Sequence, residues 1–338
     1  MIEQTPFGTL SDGTVVTCYR LYGGGGAYVN VLDYGATVQS ILVPDRRGLL
    51  TDVVLGYDHA EGYERGTFYF GATVGRHANR IGGGHFSLNG VTYRLETNSG
   101  PNHAHGGFSG YDKRMFRGEV RGDRLRMRLI SPDGDQGYPG RLTLTVTFTF
   151  SPFNALRIEY FAETDKDTVV NLTNHSYFDL SSGRDPMGQL LRLRAKRYTE
   201  NDGDTLPTGV IAAVRGTPFD FTAEKSIGRD LGQDHIQLKN CRGYDHNFVL
   251  ERPGNFAWLR SPATGIAMTA ATDMPGVQLY SGNWVEEPLG KRPYGPRSGV
   301  CLETQFFPNA MGLENFRKPI LRAGEVYDHW TEYWFGNA

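Results

Sequence analysis

Apolar and polar positions alternate with a period of two along much of this chain, and the pattern is most informative between residues 169 and 180. Neighbouring side chains on a strand point to opposite faces. A strand there would put Val170, Leu172, Phe178 and Leu180 on one face and Asn171, Thr173, His175, Tyr177 and Asp179 on the other. The second face carries an imidazole, a phenol and a carboxylate, more functionality than a strand needs merely to meet water, so His175 is the leading candidate for chemistry. The same period predicts strands at 15–21, 27–32, 38–43, 52–55, 68–74, 191–195, 242–250, 276–284 and 299–306. Residues 141–150 and 156–164 form the clearest pair of neighbouring strands. Residues 86–88 and 91–95 make a hairpin turned by Asn89-Gly90. Only 57–65 suggests a helical turn.

Composition sharpens this into an all-β chain. Glycine is abundant at 44 residues and aromatics make up 12%, which suits many strands joined by tight turns. The 338 residues contain no repeat, linker or low-complexity tract, so 1–338 is expected to be a single domain. The run Gly23-Gly24-Gly25-Gly26 lacks the Gly-Lys-Ser/Thr of a phosphate loop and is expected to be a turn.

Charge and cysteine exclude several functions. The net charge is −2, with Lys and Arg scattered. That leaves no footprint for nucleic acid or an anionic membrane and favours a neutral small-molecule ligand. The N-terminal residues show no signal-peptide pattern and no stretch could span a bilayer, so a cytoplasmic protein is expected. Cys18, Cys241 and Cys301 have neither disulfide nor zinc spacing and are expected to be reduced, with Cys301 a small buried hydrophobe.

The candidate chemistry is spread over distant segments. Arg76 and Arg80 flank Asn79 and are either surface charge before a turn or guanidiniums aimed at ligand oxygens. His103 and His105 share a Pro- and Gly-rich loop. They invite comparison with a metal-binding pair, but no glutamate follows within a few residues and the next acid is Asp112. The Asp133 loop superficially resembles a calcium loop, but its twelfth position is Leu144, so it is expected to be a turn. Asp245 shares a face with Asn247, Gln278 with Tyr280, and Glu303 with Gln305, while His246 is expected to be packed. A lone acid on a strand face is usually just solvated, and Glu303 rises above that through its company.

Six motifs, in order, carry a resemblance: Gly75-Arg76-His77-Ala78-Asn79-Arg80-Ile81, Pro101-Asn102-His103-Ala104-His105-Gly106-Gly107, Thr173-Asn174-His175-Ser176-Tyr177-Phe178, Gly243-Tyr244-Asp245-His246-Asn247-Phe248, Pro275-Gly276-Val277-Gln278-Leu279-Tyr280 and Cys301-Leu302-Glu303-Thr304-Gln305. The chain resembles the aldose 1-epimerases, or galactose mutarotases, from about Gly8 to Tyr327. The resemblance implies a large antiparallel β-sandwich of the galactose mutarotase-like fold that binds a free hexose without metal or cofactor. It implies His175 as general acid and Glu303 as general base. It places Asn79, Arg80, His105, Asp245 and Gln278 where the family holds sugar hydroxyls or supports the acid.

Anomer interconversion fits those residue types. A proton leaves the C1 hydroxyl, another reaches the ring oxygen, and the open aldehyde turns about C1–C2 before the same groups run in reverse. A carboxylate and an imidazolium on opposite sides of the hemiacetal would suffice, and an ordinary histidine pKa near 6.5 suits the task. Trp284 is expected to line the sugar's apolar face. Asn309 and Ala104 depart from the family pattern without touching the proposed acid or base. The competing readings are a sugar-binding module without catalysis, a metal enzyme using His103 and His105, a glycoside hydrolase using Asp245 and Glu303, and a relative acting on phosphorylated hexoses. The last would need basic residues at the cleft, for which only Arg76, Lys291, Arg292 and Arg297 are plausible. Partners are expected to be a monosaccharide alone, with the protein a monomer or homodimer.

Overall fold

Three antiparallel sheets of five, nine and six strands dominate the computed structural model, which describes residues 2–338. The nine-stranded sheet is built around Leu142–Phe150, Ala155–Thr164, Val326–Asn337 and Ile266–Thr272, adjacent in that order. Leu142, Leu144, Val146 and Phe148 point inward with no exposed surface, while the threonines between them are half-buried. Burying each such apolar side chain contributes roughly 1.5–3 kcal/mol, and β-branched threonine suits the outer face of a pleated strand.

The six-stranded sheet runs, in spatial order, Tyr177–Phe178, Val300–Gln305, Gly276–Tyr280, Asp245–Val249, Arg197–Asn201 and Pro207–Ala213. One face packs on the nine-stranded sheet, with the Tyr333 hydroxyl donating to the Leu302 carbonyl at 3.3 Å and the Thr304 and Thr331 hydroxyls in contact. Val277, Leu279 and Phe248 join the same hydrophobic cluster. The register lays the other face out in two rows across the strands: Asp245, Tyr280, Cys301 and Tyr177, then Asn247, Gln278 and Glu303. Four strands thus bring residues more than a hundred positions apart onto one small platform.

The antiparallel β-sandwich expected from the sequence is present, and most predicted strands lie within a few residues of their expected limits. Residues 169–180 differ. They form short pieces, Thr168–Val169, Thr173–Asn174 and Tyr177–Phe178, that pair with three separate partners, and the whole stretch is buried. Its polar side chains lie under neighbouring loops rather than facing water, so burial does not alternate as the sequence does. Only Thr73–Val74 of the predicted strand at 68–74 is realised, because Tyr69 and Gly71 adopt left-handed backbone (φ 57° and 66°). Strands Ile2–Thr9, Arg117–Arg121 and Val326–Asn337 had no aliphatic alternation to announce them, whereas Arg124–Ser131 alternates Leu125, Met127 and Leu129 with arginines and was missed all the same. Among the described residues no helix is long and apolar enough to cross a membrane.

Candidate active site

A cleft of about 430 Å³ opens over the polar face of the six-stranded sheet, within the range of small-molecule sites. His175, Tyr177, Asp245, Tyr280 and Glu303 line it from the sheet side, and Tyr69, Asn79, Arg80 and His105 from the facing loops. At its margin stand Phe108, 68% exposed, and Trp284, which stacks on Tyr280 with ring centroids 6.0 Å apart.

His175 follows directly on the two-residue strand Thr173–Asn174. Its backbone is clamped by hydrogen bonds, its N–H donating to the Ala72 carbonyl at 2.9 Å and its carbonyl accepting from the Gly71 N–H at 3.0 Å. Tyr69 and Tyr177 stack against the ring, at 27° and 28° to it with centroids 5.7 and 5.0 Å away. The ring edge is held too. Nε2 lies 3.5 Å from Glu303 Oε2, and Nδ1 lies 3.6 Å from the Cys301 sulfur. The acid and base expected on opposite sides of a hemiacetal are therefore neighbours.

Burial sets the electrostatics. It pushes His175 down to about 4. It pushes Glu303 well above the usual carboxylate range, helped by the nearby Asp245 carboxylate and opposed by Arg80. The ion pair is the costly arrangement here. Of the two groups, burial therefore makes the carboxyl the one that holds a proton more tightly, and it disfavours the carboxylate–imidazolium arrangement. Glu303 Oε2 and Arg80 Nε are buried without a hydrogen-bond partner among the described residues, which is the condition a ligand hydroxyl would relieve.

The loops aim their side chains through strained backbone. Asn79 and His105 have φ of 59° and 51°, conformations that cost energy for residues with a Cβ and recur at functional sites. A Cβ on Gly106 would collide with the Gly75 carbonyl oxygen, so the turn after His105 requires glycine. Arg80 reaches to 3.9 Å from Asp245, whose other oxygen accepts from Gln278 Nε2 at 2.6 Å. Burial raises Asp245, and Arg80 and the Gln278 amide oppose it.

His105, His175 and Glu303 offer three ligand atoms within 4.8 Å of one another, a spacing a metal could use. The His105 tautomer argues otherwise. Its Nδ1 accepts the Asn79 backbone N–H at 3.4 Å, which puts the ring hydrogen on Nε2 and makes that nitrogen a donor. His103 is occupied at both nitrogens, by the Glu96 carbonyl and the Tyr138 hydroxyl, each at 2.7 Å.

Of the residues singled out from the sequence, His175, Glu303, Asn79, Arg80, His105 and Asp245 meet at the cleft. Gln278 stands behind, bracing Asp245. Arg76 departs altogether: its guanidinium is buried and donates to the Pro139 and Gly140 carbonyls at 2.8 Å and to Ser131 Oγ at 2.5 Å. Lys291, Arg292 and Arg297 pair with Asp52, Asp179 and the Arg242 carbonyl rather than lining the cleft. His246 is packed as expected, Nδ1 accepting from the Asp245 N–H and Nε2 against Gln237. Asn309 accepts from the Gly82 N–H at 3.0 Å and so anchors the Arg80 segment. Sequence reasoning assigned no role to Tyr69, Tyr177 or Tyr280. The last two were legible as polar-face positions, whereas Tyr69 carries no signal of its own.

Comparison with known proteins bears on the family and the fold. A sequence model described as aldose 1-epimerase matches residues 17–334. The chain is 40% identical to a galactose mutarotase of Mus musculus, covering 100% of this chain and 99% of that protein. It is 34% identical to an aldose 1-epimerase of Escherichia coli, covering 99% of each. The crystal structure of a galactose 1-epimerase from Lactobacillus acidophilus superposes with a TM-score of 0.89 at 29% identity, over 100% of this chain and 99% of that one.

Proposed function

The chain belongs to the aldose 1-epimerase family, and from that premise we propose that it interconverts the α and β anomers of free hexoses such as glucose and galactose. His175 and Glu303 do the chemistry. The observation that carries this is the His175–Glu303 pair, 3.5 Å apart in a cleft with room for a hexose. O1 and O5 of a pyranose are both bonded to C1, so adjacent groups can serve both oxygens from one edge of the ring. In the catalytic form, Glu303 is a carboxylate and His175 an imidazolium. Glu303 takes the O1 proton, the O1 electrons form the C1=O double bond, the C1–O5 bond breaks, and O5 takes the proton of His175 Nε2. Rotation about C1–C2 and reversal of each transfer give the other anomer.

Ring opening thus moves one proton from His175 to Glu303 by way of the sugar, and burial favours that end state. Each positioned acid or base typically supplies about 10²–10⁴ in rate, or roughly 5–11 kcal/mol for the pair. Arg80, His105 and Asn79 offer donors to sugar hydroxyls and Asp245 offers an acceptor. Gln278 acts by orienting Asp245. Arg76, Lys291, Arg292 and Arg297 are all engaged by protein partners, which weighs against a phosphorylated hexose.

The continuous hydrophobic cluster from Tyr19 to Phe335 supports a single domain over 1–338, expected to unfold in one transition by two independent probes. The residues proposed for the chemistry all come from one chain, which suits a monomer or a homodimer alike. Three free, buried cysteines suit a reducing cytoplasm, and fractionation of the source cells would test that. Polarimetry on freshly dissolved α-D-glucose and α-D-galactose tests the activity: the protein should hasten the approach to anomeric equilibrium, and an unchanged rate would refute the assignment.

A further inference from the structure

Cys301 is the buried thiol that the proposed chemistry leaves unused. It shares a strand face with Glu303, two residues along, and the two side chains meet opposite nitrogens of one imidazole. The Nδ1 contact is 3.6 Å, within the range for sulfur, and Cys301 is its only side-chain hydrogen-bond partner among the described residues, beside a backbone interaction of the ring with His175 itself. Tyr69 and Tyr177 supply stacked rings rather than polar atoms at that edge. Cys301 itself is fully buried, in register with Tyr177 on one side and Tyr280 on the other, so it cannot swing away.

The geometry points to Cys301 as a positioning residue that accepts the Nδ1–H of His175, so that Nε2 alone gives and takes protons at the sugar. This rests on the reading of His175 as the acid. If Nδ1 lost its hydrogen, the neutral ring would carry it on Nε2, and that nitrogen could not take a proton back from O5 during ring closure. A sulfur acceptor holds the productive tautomer without the charge of a carboxylate, which would trap the imidazolium. Burial pushes the Cys301 thiol well above its usual range, so the group next to the ring stays uncharged.

The test uses the full-length protein with ¹⁵N-labelled histidine, wild type beside Cys301→Ala and Cys301→Ser, with His175 signals assigned by their loss in His175→Ala. Wild type and Cys301→Ser should show His175 hydrogen on Nδ1 at neutral pH, and Cys301→Ala should shift it toward Nε2. In the same Ala variant kcat for anomer interconversion should fall about 3- to 10-fold, as for one lost neutral hydrogen bond, with KM changed less than about twofold. Ser should restore most of kcat. Either an unchanged tautomer in Cys301→Ala, or a changed tautomer with wild-type kcat, overturns the proposal. Equal losses of kcat in Ala and Ser with the tautomer intact would assign the effect to packing and overturn it as well. The tautomer is read on free protein, so it is decided even if the wild type proves inactive, an outcome that would refute the functional reading instead.

Discussion

The Glu303 carboxylate and the His175 imidazole stand side by side, 3.5 Å apart, rather than facing each other across the width of a sugar. Their nearness follows from the sheet register. Glu303 lies on the strand Val300–Gln305, and Tyr177, two residues after His175, pairs with Cys301 on that same strand. The arrangement suits a reaction whose two proton exchanges occur on oxygens attached to one carbon.

His175→Ala and Glu303→Ala should each lower kcat for galactose mutarotation by about 10²–10⁴. The double variant should fall little below the weaker single one, because the groups work as a unit. Polarimetry across a concentration series checks this. A single variant within tenfold of wild type would remove that residue from the mechanism.

Arg76 and Arg80, four residues apart in sequence, should separate cleanly in experiment. Arg76→Ala leaves the Pro139 and Gly140 carbonyls unpaired in the interior and should cost at least about 3 kcal/mol in urea unfolding. Its folded fraction should keep a normal KM. Arg80→Ala should cost less stability and weaken galactose binding about 10- to 100-fold by calorimetry. The reverse pattern would mean that the two guanidiniums have been given each other's roles.

His77 should make the protein acid-sensitive. It is fully buried, neither ring nitrogen has a hydrogen-bond partner among the described residues, and burial lowers it to about 3. Between that value and the ordinary 6.5, the unfolded chain binds a proton that the folded one refuses. Stability therefore rises with pH through this window and is lost as pH falls. From pH 7 to 5 the loss due to His77 is about 2 kcal/mol. His77→Leu should remove that increment from the difference between urea unfolding curves at the two pH values, and an identical difference would contradict it.

Exhaustive dialysis against a chelator should leave the mutarotation rate unchanged, because the Asn79 N–H fixes His105 as a donor. Restoration of a lost rate by added zinc would reverse this.

Much of the site was readable because strand periodicity ties side chains to faces. Asp245 with Asn247, Gln278 with Tyr280 and Glu303 with Gln305 were paired by period alone, and the sheet keeps them so. Period cannot say what covers a face. Hence 169–180 looked like one half-solvated strand, although loops bury it and three partners share it. Nor can it rank two arginines whose destinations depend on tertiary contacts, or reveal Tyr69, which reaches the cleft through a left-handed backbone. Cys301 was correctly expected to be buried, but its partner lies 126 residues away and no local pattern connects them.

The strand Val326–Asn337 sits in the interior of the nine-stranded sheet, hydrogen-bonded to Ala155–Thr164 on one side and Ile266–Thr272 on the other. During translation both neighbours emerge from the ribosome long before the piece that must lie between them, so the sheet stays unzipped until synthesis reaches its C-terminal strand. Nascent chains halted before residue 326 should accordingly be cut readily by protease, whereas chains extended well past residue 337 should resist. Protein quality control, rather than catalysis, is where damage to these twelve residues would first be felt.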